Sequence, residues 1–181
     1  MKAIFLDVDG VLNTSETYIN IQNKYNKTKQ VDIDIDEFRL EYLKTIIDNT
    51  GAKVVLSSSW RGGFTKENNK VIPRNSKCKK FYDLLTKYNI ELYDIIFDIY
   101  SDIYREAQIN YWLSLNRDID NFIILDDEPN LYNNLTDKLI KTSKVNDNEM
   151  LMNMDDCIGL CEEHIKQAIN MLNANNKVLK K

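Results

Sequence analysis

Histidine, cysteine, proline, glycine and long apolar runs are all scarce in this sequence, and each scarcity excludes something. No apolar run approaches the ~20 residues needed to cross a bilayer. The N-terminal apolar run is cut at Asp7 and Asp9, which is not the pattern of a secretory leader. Cys78, Cys157 and Cys161 are odd in number and scattered, so no disulfide framework is expected. These features predict a cytoplasmic protein without a membrane partner. The single histidine, His164, makes a zinc site with Cys157 and Cys161 conceivable, but the spacing matches no ordinary finger. Two small apolar residues one helical turn apart are better explained as core. The net charge of −4 does not advertise nucleic-acid binding, although local basic patches are compatible with it. The 43% hydrophobic and 29% charged content is ordinary for a soluble globular chain, and 181 residues suit a single domain over 1–181.

What the chain does have is Lys2-Ala3-Ile4-Phe5-Leu6-Asp7-Val8-Asp9-Gly10-Val11-Leu12-Asn13. The apolar run with aromatic and β-branched members predicts a buried strand over 2–7. Alternation along an extended chain turns Asp7 and Asp9 to the same side. Two adjacent carboxylates repel, and a hard divalent cation bound through oxygens, typically Mg2+, is the usual neutraliser. Gly10 lets the backbone turn away sharply. A calcium loop would need Asp or Asn at the fifth position and Gly at the sixth; Val11 and Leu12 stand there instead.

Further elements follow from periodicity. Val31, Ile33 and Ile35 alternate with aspartates and predict a half-exposed strand or hairpin arm within a polar 13–36 stretch. Phe38, Tyr42, Leu43, Ile46 and Ile47 predict a helix over 36–49, with Asp34 or Asp36 as cap and Gly51 as its stop. Strands are predicted at 53–56, within 93–99, at 121–125 and at 139–142. Residues 64–75 read as an exposed loop, followed by a helix through Phe81, Leu84, Leu85 and Tyr88 capped by Ser76. Helices over 103–115, with Ile103, Ala107, Tyr111 and Leu115 on one face, and over about 156–173 complete the set, and 175–181 is a frayed tail. Alternating strands and helices predict an α/β fold: a Rossmann-like three-layer α/β/α domain with a mostly parallel sheet of about five strands. In such folds the site lies beyond the carboxyl ends of the strands. Asp7/Asp9, Ser57-Ser58-Ser59 and Asp126/Asp127 each stand at a predicted strand's carboxyl end.

The hydrophobic strand running into Asp-x-Asp-Gly resembles the haloacid dehalogenase (HAD) superfamily, mostly phosphatases. The resemblance extends through Leu56-Ser57-Ser58-Ser59-Trp60-Arg61, Arg105 with Trp112-Leu113, Ile124-Leu125-Asp126-Asp127 and Gly159-Leu160 with His164. That set is similar to the HAD domain of Swiss Army Knife RNA repair proteins. It implies a Mg2+-dependent phosphomonoesterase working through an aspartyl-phosphate. Asp7 would be the nucleophile and Asp9 the acid/base, while Ser57 would hold a phosphoryl oxygen and Arg105 would neutralise charge. Asp7, Asp9, Asp126 and Asp127 are the expected metal set, with Asp126 preferred over Asp127. Ser58, Arg61 and Gly10 are expected around the substrate. Arg105 stands where most of the superfamily has Lys, and Glu106 where Gly is expected. His164 is assigned a structural role.

The inserts at 13–36 and 62–92 are too short for a full cap domain, so at most a minimal cap is expected. An open site suits a terminal phosphate of a polynucleotide or a nucleotide. Lys66, Lys70, Arg74, Lys77, Lys79 and Lys80 form either a basic lip for such a partner or an ordinary solvated face. A small-metabolite or nucleotide-signal phosphatase and a non-catalytic phosphate binder are the alternatives.

Overall fold

A computed structural model describes residues 1–24, 35–96, 105–147 and 149–174. The strand alternation predicted at Val31 and Ile33, and the tail 175–181, lie outside them. Five strands form one sheet in the order β5-β2-β1-β6-β7: β1 (Lys2–Leu6), β2 (Lys53–Leu56), β5 (Leu92–Ile95), β6 (Asn121–Asp126) and β7 (Leu139–Lys141). All four pairings are parallel. β1 is central because it is buried on both faces. Ile4 and Leu6 point into one apolar core with Leu40, Leu43, Phe81 and Leu172, while Ala3 and Phe5 point into the other with Ile109 and Trp112. Phe5 meets Trp112 and Phe122 edge-to-face at 5.4 and 5.6 Å.

The chain runs from β1 to β2 and β5 on one side, then crosses to β6 and β7 on the other. This reversal opens a crevice beyond the carboxyl ends of β1 and β6. Register then decides the neighbours. Leu6 pairs with Leu56 and with Leu125, so Asp7 emerges between Ser57 and Asp126. The ladder extends one step further, with Asp7 N–H donating to Leu125 O and Ser57 N–H to Leu6 O, both at 2.9 Å.

Several expectations change. Residues 64–75 are not a loop but a hairpin, β3 (Phe64–Glu67) with β4 (Lys70–Pro73). Asn68 and Asn69, at φ 49° and 61°, make the two-residue turn, and Asn tolerates that left-handed backbone. Part of the 13–36 stretch is a helix, α1 (Ser15–Lys24). On α2 (Glu37–Thr50) the buried side chains are Arg39, Leu40, Leu43 and Ile46, while Phe38 is exposed. Asp36 occupies its N-cap position, but its carboxylate serves Thr17 and Arg39 instead of the helix N–H groups. α3 (Ser76–Lys87) is capped by Asn75, which accepts from Cys78 N–H at 2.8 Å, and not by Ser76. On α4 (Arg105–Leu115) the predicted face is reversed. Ala107, Tyr111 and Leu115 face solvent, and Arg105, Gln108, Ile109 and Trp112 are buried. α5 spans Glu162–Asn173, starting later than expected because Cys157 instead bridges Ser143.

Gly51 ends α2 at φ 68°, its N–H bonded to Ile47 O at 2.8 Å, and no atom lies within 4 Å of where a Cβ would sit. Gly51→Ala should therefore cost only the left-handed backbone term, about 1 kcal/mol, in denaturant unfolding.

Candidate active site

Three carboxylates meet at the crevice. One oxygen from each of Asp7, Asp126 and Asp127 lies within 4.8 Å of the others, and all three residues are buried. Arg105, the first residue of α4, bridges two of them, donating from Nη1 to Asp7 Oδ1 at 2.8 Å and to Asp126 Oδ2 at 2.7 Å. Asp126 is the hub, since it also accepts from Tyr132 Oη at 2.7 Å and from Glu128 N–H at 2.9 Å. Burial, then the Asp126 charge, push the Asp7 carboxyl well above the ordinary carboxylate range against the pull of Arg105. Burial first, and Asp126 second, raise Asp127 to about 7. One guanidinium does not balance three carboxylates. Clustered hard oxygen donors with an excess of negative charge fit a divalent cation such as Mg2+.

The second strand end supplies Ser57. Its hydroxyl is fully buried and has no hydrogen-bond partner among the described residues. An orphaned buried hydroxyl costs about 1–3 kcal/mol, so its retention beside Asp7 marks a place where a ligand oxygen would be held.

Other predicted site residues are placed differently. Asp9 lies outside the carboxylate cluster, contrary to its assignment as a metal carboxylate. Its Oδ2 accepts from Trp60 Nε1 at 2.8 Å and its Oδ1 from Asn13 Nδ2 at 2.9 Å. Gly10 was expected around the substrate, but its N–H is taken by Asn13 Oδ1 at 3.0 Å. A Cβ there would sit 2.0 Å from Asp127 Oδ2, so Gly10 makes room for that carboxylate. Ser58 accepts from Trp60 N–H at 3.4 Å and caps a 3-10 turn over Ser59–Gly63. Arg61, expected to clamp substrate, is buried. It donates to the carbonyls of Ser57 and Ser58 at 3.2 and 3.0 Å and to Gln108 at 3.2 Å, which braces the loop carrying Ser57.

Sequence reasoning did not single out Trp60, Asn13, Tyr132 or Cys157 for this site. Cys157 donates from Sγ to Asp127 Oδ2 at 3.1 Å, and Ser143 Oγ holds the Asp127 carbonyl at 2.5 Å. Trp60 and Asn13 carried a signal, since Asn13 ends the Asp-x-Asp-Gly stretch and Trp60 lies in Ser57-Ser58-Ser59-Trp60-Arg61. Tyr132 and Cys157 carried none: Tyr132 stands only six residues after Asp126 but in a polar loop without periodicity, and Cys157 lies 30 residues from Asp127. His164 accepts the Cys161 N–H at 3.2 Å at the start of α5, in line with a structural role, and the cysteines do not gather with it into a metal set among the described residues. Glu106 accepts from Asn133 and Asn134 N–H at 2.5 and 2.9 Å and holds the loop after β6. The basic lip is partly neutralised: Lys66 pairs with Asp94, Lys79 with Asp83, and Lys77 stacks 3.6 Å from the Trp60 ring centre.

A parallel sheet whose switch point gathers aspartates at the ends of β1 and β6, bridged by the arginine that opens α4, with a serine at the end of the neighbouring β2, defines an α/β domain of the HAD class. The family model described as the HAD domain in Swiss Army Knife RNA repair proteins matches residues 3–146, and the chain belongs to that family. Membership supports a hydrolase of the phosphatase type. No curated protein and no solved structure matches the chain. No helix among the described residues is long and apolar enough to cross a membrane.

An Asp127 carboxyl raised from the usual value near ~3.9 to about 7 binds a proton in the folded chain that the unfolded chain has released. Stability in EDTA should therefore fall as pH rises from about 4 through 7. Added Mg2+ should raise the thermal midpoint more at pH 8 than at pH 5, as read by thermal-shift titration.

Proposed function

We propose that the protein is a Mg2+-dependent phosphomonoesterase in which Asp7 attacks phosphorus and forms an aspartyl-phosphate. The observation that carries this reading is the convergence of a buried Asp7 with Arg105, the orphaned Ser57 hydroxyl and the Asp126/Asp127 pair at one sheet edge. Asp7, Asp126 and Asp127 would hold the cation, which when bound neutralises phosphoryl charge and lets two anions approach. The chain's own groups do the rest. Ser57 Oγ donates to a phosphoryl oxygen. Arg105, pinned between Asp7 and Asp126, keeps positive charge beside the nucleophile. Its guanidinium stays protonated throughout: burial pulls its pKa down, but Asp126 and then Asp7 together more than reverse this and raise it. Asp9 gives a proton to the leaving oxygen and then takes one from the attacking water. Trp60 and Asn13 hold the Asp9 carboxylate in place for both steps.

The substrate in this proposal is a nucleic-acid terminal phosphate or a nucleotide, by analogy with the RNA repair proteins whose domain the family model describes. A cytoplasmic setting agrees with three free cysteines, Cys78, Cys157 and Cys161. With an aryl phosphate and Mg2+, Asp7→Asn should lower kcat at least 1000-fold (on the order of 4 kcal/mol) while the fold persists by circular dichroism. Activity retained in that variant would remove the nucleophile assignment. Trp60→Phe, which removes the bond to Asp9 and trims the ring that meets Phe81 and Lys77, should lower kcat by roughly 10-fold or more with little change in the Mg2+ dependence while the fold persists by circular dichroism. An unchanged kcat would show that Asp9 needs no such clamp.

A further inference from the structure

We propose that the leaving group is a nucleoside whose base lies against Tyr18 and Met154, in the cavity that opens beside Asp9. This rests on the phosphomonoesterase reading and states what lies beyond the scissile oxygen. The cavity, about 230 Å³, is lined by Asp9, Asn13, Thr14, Ser15, Tyr18 and Met154. Its inner end is the acid/base, so whatever enters it is attached to the leaving oxygen. Its outer end is a phenol ring, 54% exposed, and a thioether, 37% exposed. An aromatic face and a polarisable sulfur suit a flat π-system and offer nothing to an anion. Pockets for drug-sized ligands run from about 300 Å³ upward, so this one takes a single ring system and not a length of strand.

Charge points the same way. The adjoining cavity, about 420 Å³, shares Thr14, Ser15 and Met154 and adds Glu16 and Asp155 against Lys144 and Arg39. Arg39 is already paired with Asp36 at 3.0 Å. The remaining balance is acidic, which disfavours a second phosphate there and leaves the base as the occupant. The walls are built before any ligand arrives. Thr17 Oγ1 donates to Asp36 Oδ2 at 2.5 Å, and Arg39 reaches from Asp36 to the carbonyls of Ile158 and Leu160 at 3.0 and 2.8 Å. This ties α1, which carries Tyr18, to the segment that follows Met154. A preformed wall spares the ordering cost of binding.

The test compares kcat/KM, with Mg2+, for a nucleoside monophosphate, glycerol phosphate, and 3′- and 5′-phosphorylated oligonucleotides. The unsubstituted protein is set against Tyr18→Ala, Tyr18→Phe and Met154→Ala. The ratio of nucleotide to glycerol phosphate should fall about tenfold in Tyr18→Ala, as expected for loss of one base–aromatic contact. It should fall less in Met154→Ala and be restored in Tyr18→Phe. Nucleoside binding without Mg2+, followed by saturation-transfer NMR, should weaken in the same order. An unchanged ratio, or a failure of Phe to restore it, overturns the assignment. A fall confined to the oligonucleotides also overturns it, because the base would then belong to a residue beyond the leaving nucleoside. If the unsubstituted protein hydrolyses glycerol phosphate but shows no preference for the nucleotide, this inference fails alone. If it hydrolyses neither, the phosphomonoesterase reading fails and takes this one with it.

Discussion

The imbalance of three buried carboxylates against one guanidinium is the constraint on which the site depends. Asp7, Asp126 and Asp127 are forced together by parallel register at the centre of the sheet, where water cannot disperse their charge. Arg105 offsets part of this repulsion by bridging Asp7 and Asp126. A cation placed among the remaining oxygens would offset the rest, so the same electrostatic strain that costs stability in its absence creates affinity for it.

Much of the surrounding structure keeps that cluster in place. Gly10 lacks the Cβ that would collide with Asp127, and Cys157 and Ser143 grip the two ends of the same residue. Thr142 Oγ1 donates to Gly10 O at 2.9 Å, so the strand-end turn after β1 is tied to the segment after β7. Arg61 is spent on the carbonyls of Ser57 and Ser58, and Trp60 on Asp9. The Ser-Ser-Ser-Trp-Arg element is thus a scaffold in which Ser57 stands next to Asp7 at the neighbouring strand end and its neighbours hold the loop and the Asp9 carboxylate. The second insert adds a small hairpin and α3 instead of a cap, and α1 forms one wall beside Asp9.

The sheet, its parallel sense and the strand-end positions of Asp7, Ser57 and Asp126 were legible because each follows a short apolar run that has no other comfortable place than a buried strand. The hairpin at 64–73 was not, since its turn uses Asn68-Asn69 and its buried side chains, Phe64 and Val71, are too few to set a period. The face of α4 was misjudged for a related reason. Its buried side includes Arg105 and Gln108, polar residues drawn inward by Asp7, Asp126 and Arg61, so apolar periodicity pointed to solvent. That Ser58 and Arg61, expected around the substrate, also brace the turn carrying Ser57 was not legible, because residue type shows hydrogen-bonding capacity but not its direction.

By itself, the order of residues determined which groups reach the carboxyl edge of the sheet, because strand polarity and side-chain alternation are local properties. Only the tertiary structure decided how those groups share the work. It put Asp9 against Trp60 and Asn13 and outside the group of three carboxylates, turned Arg61 inward, and brought Tyr132 and Cys157 onto Asp126 and Asp127. Trp60 with Asp9 and Cys157 with Asp127 join residues 51 and 30 positions apart, and even the short-range pairs depend on how the loops turn. They form because a buried carboxylate must find donors wherever the packed fold supplies them.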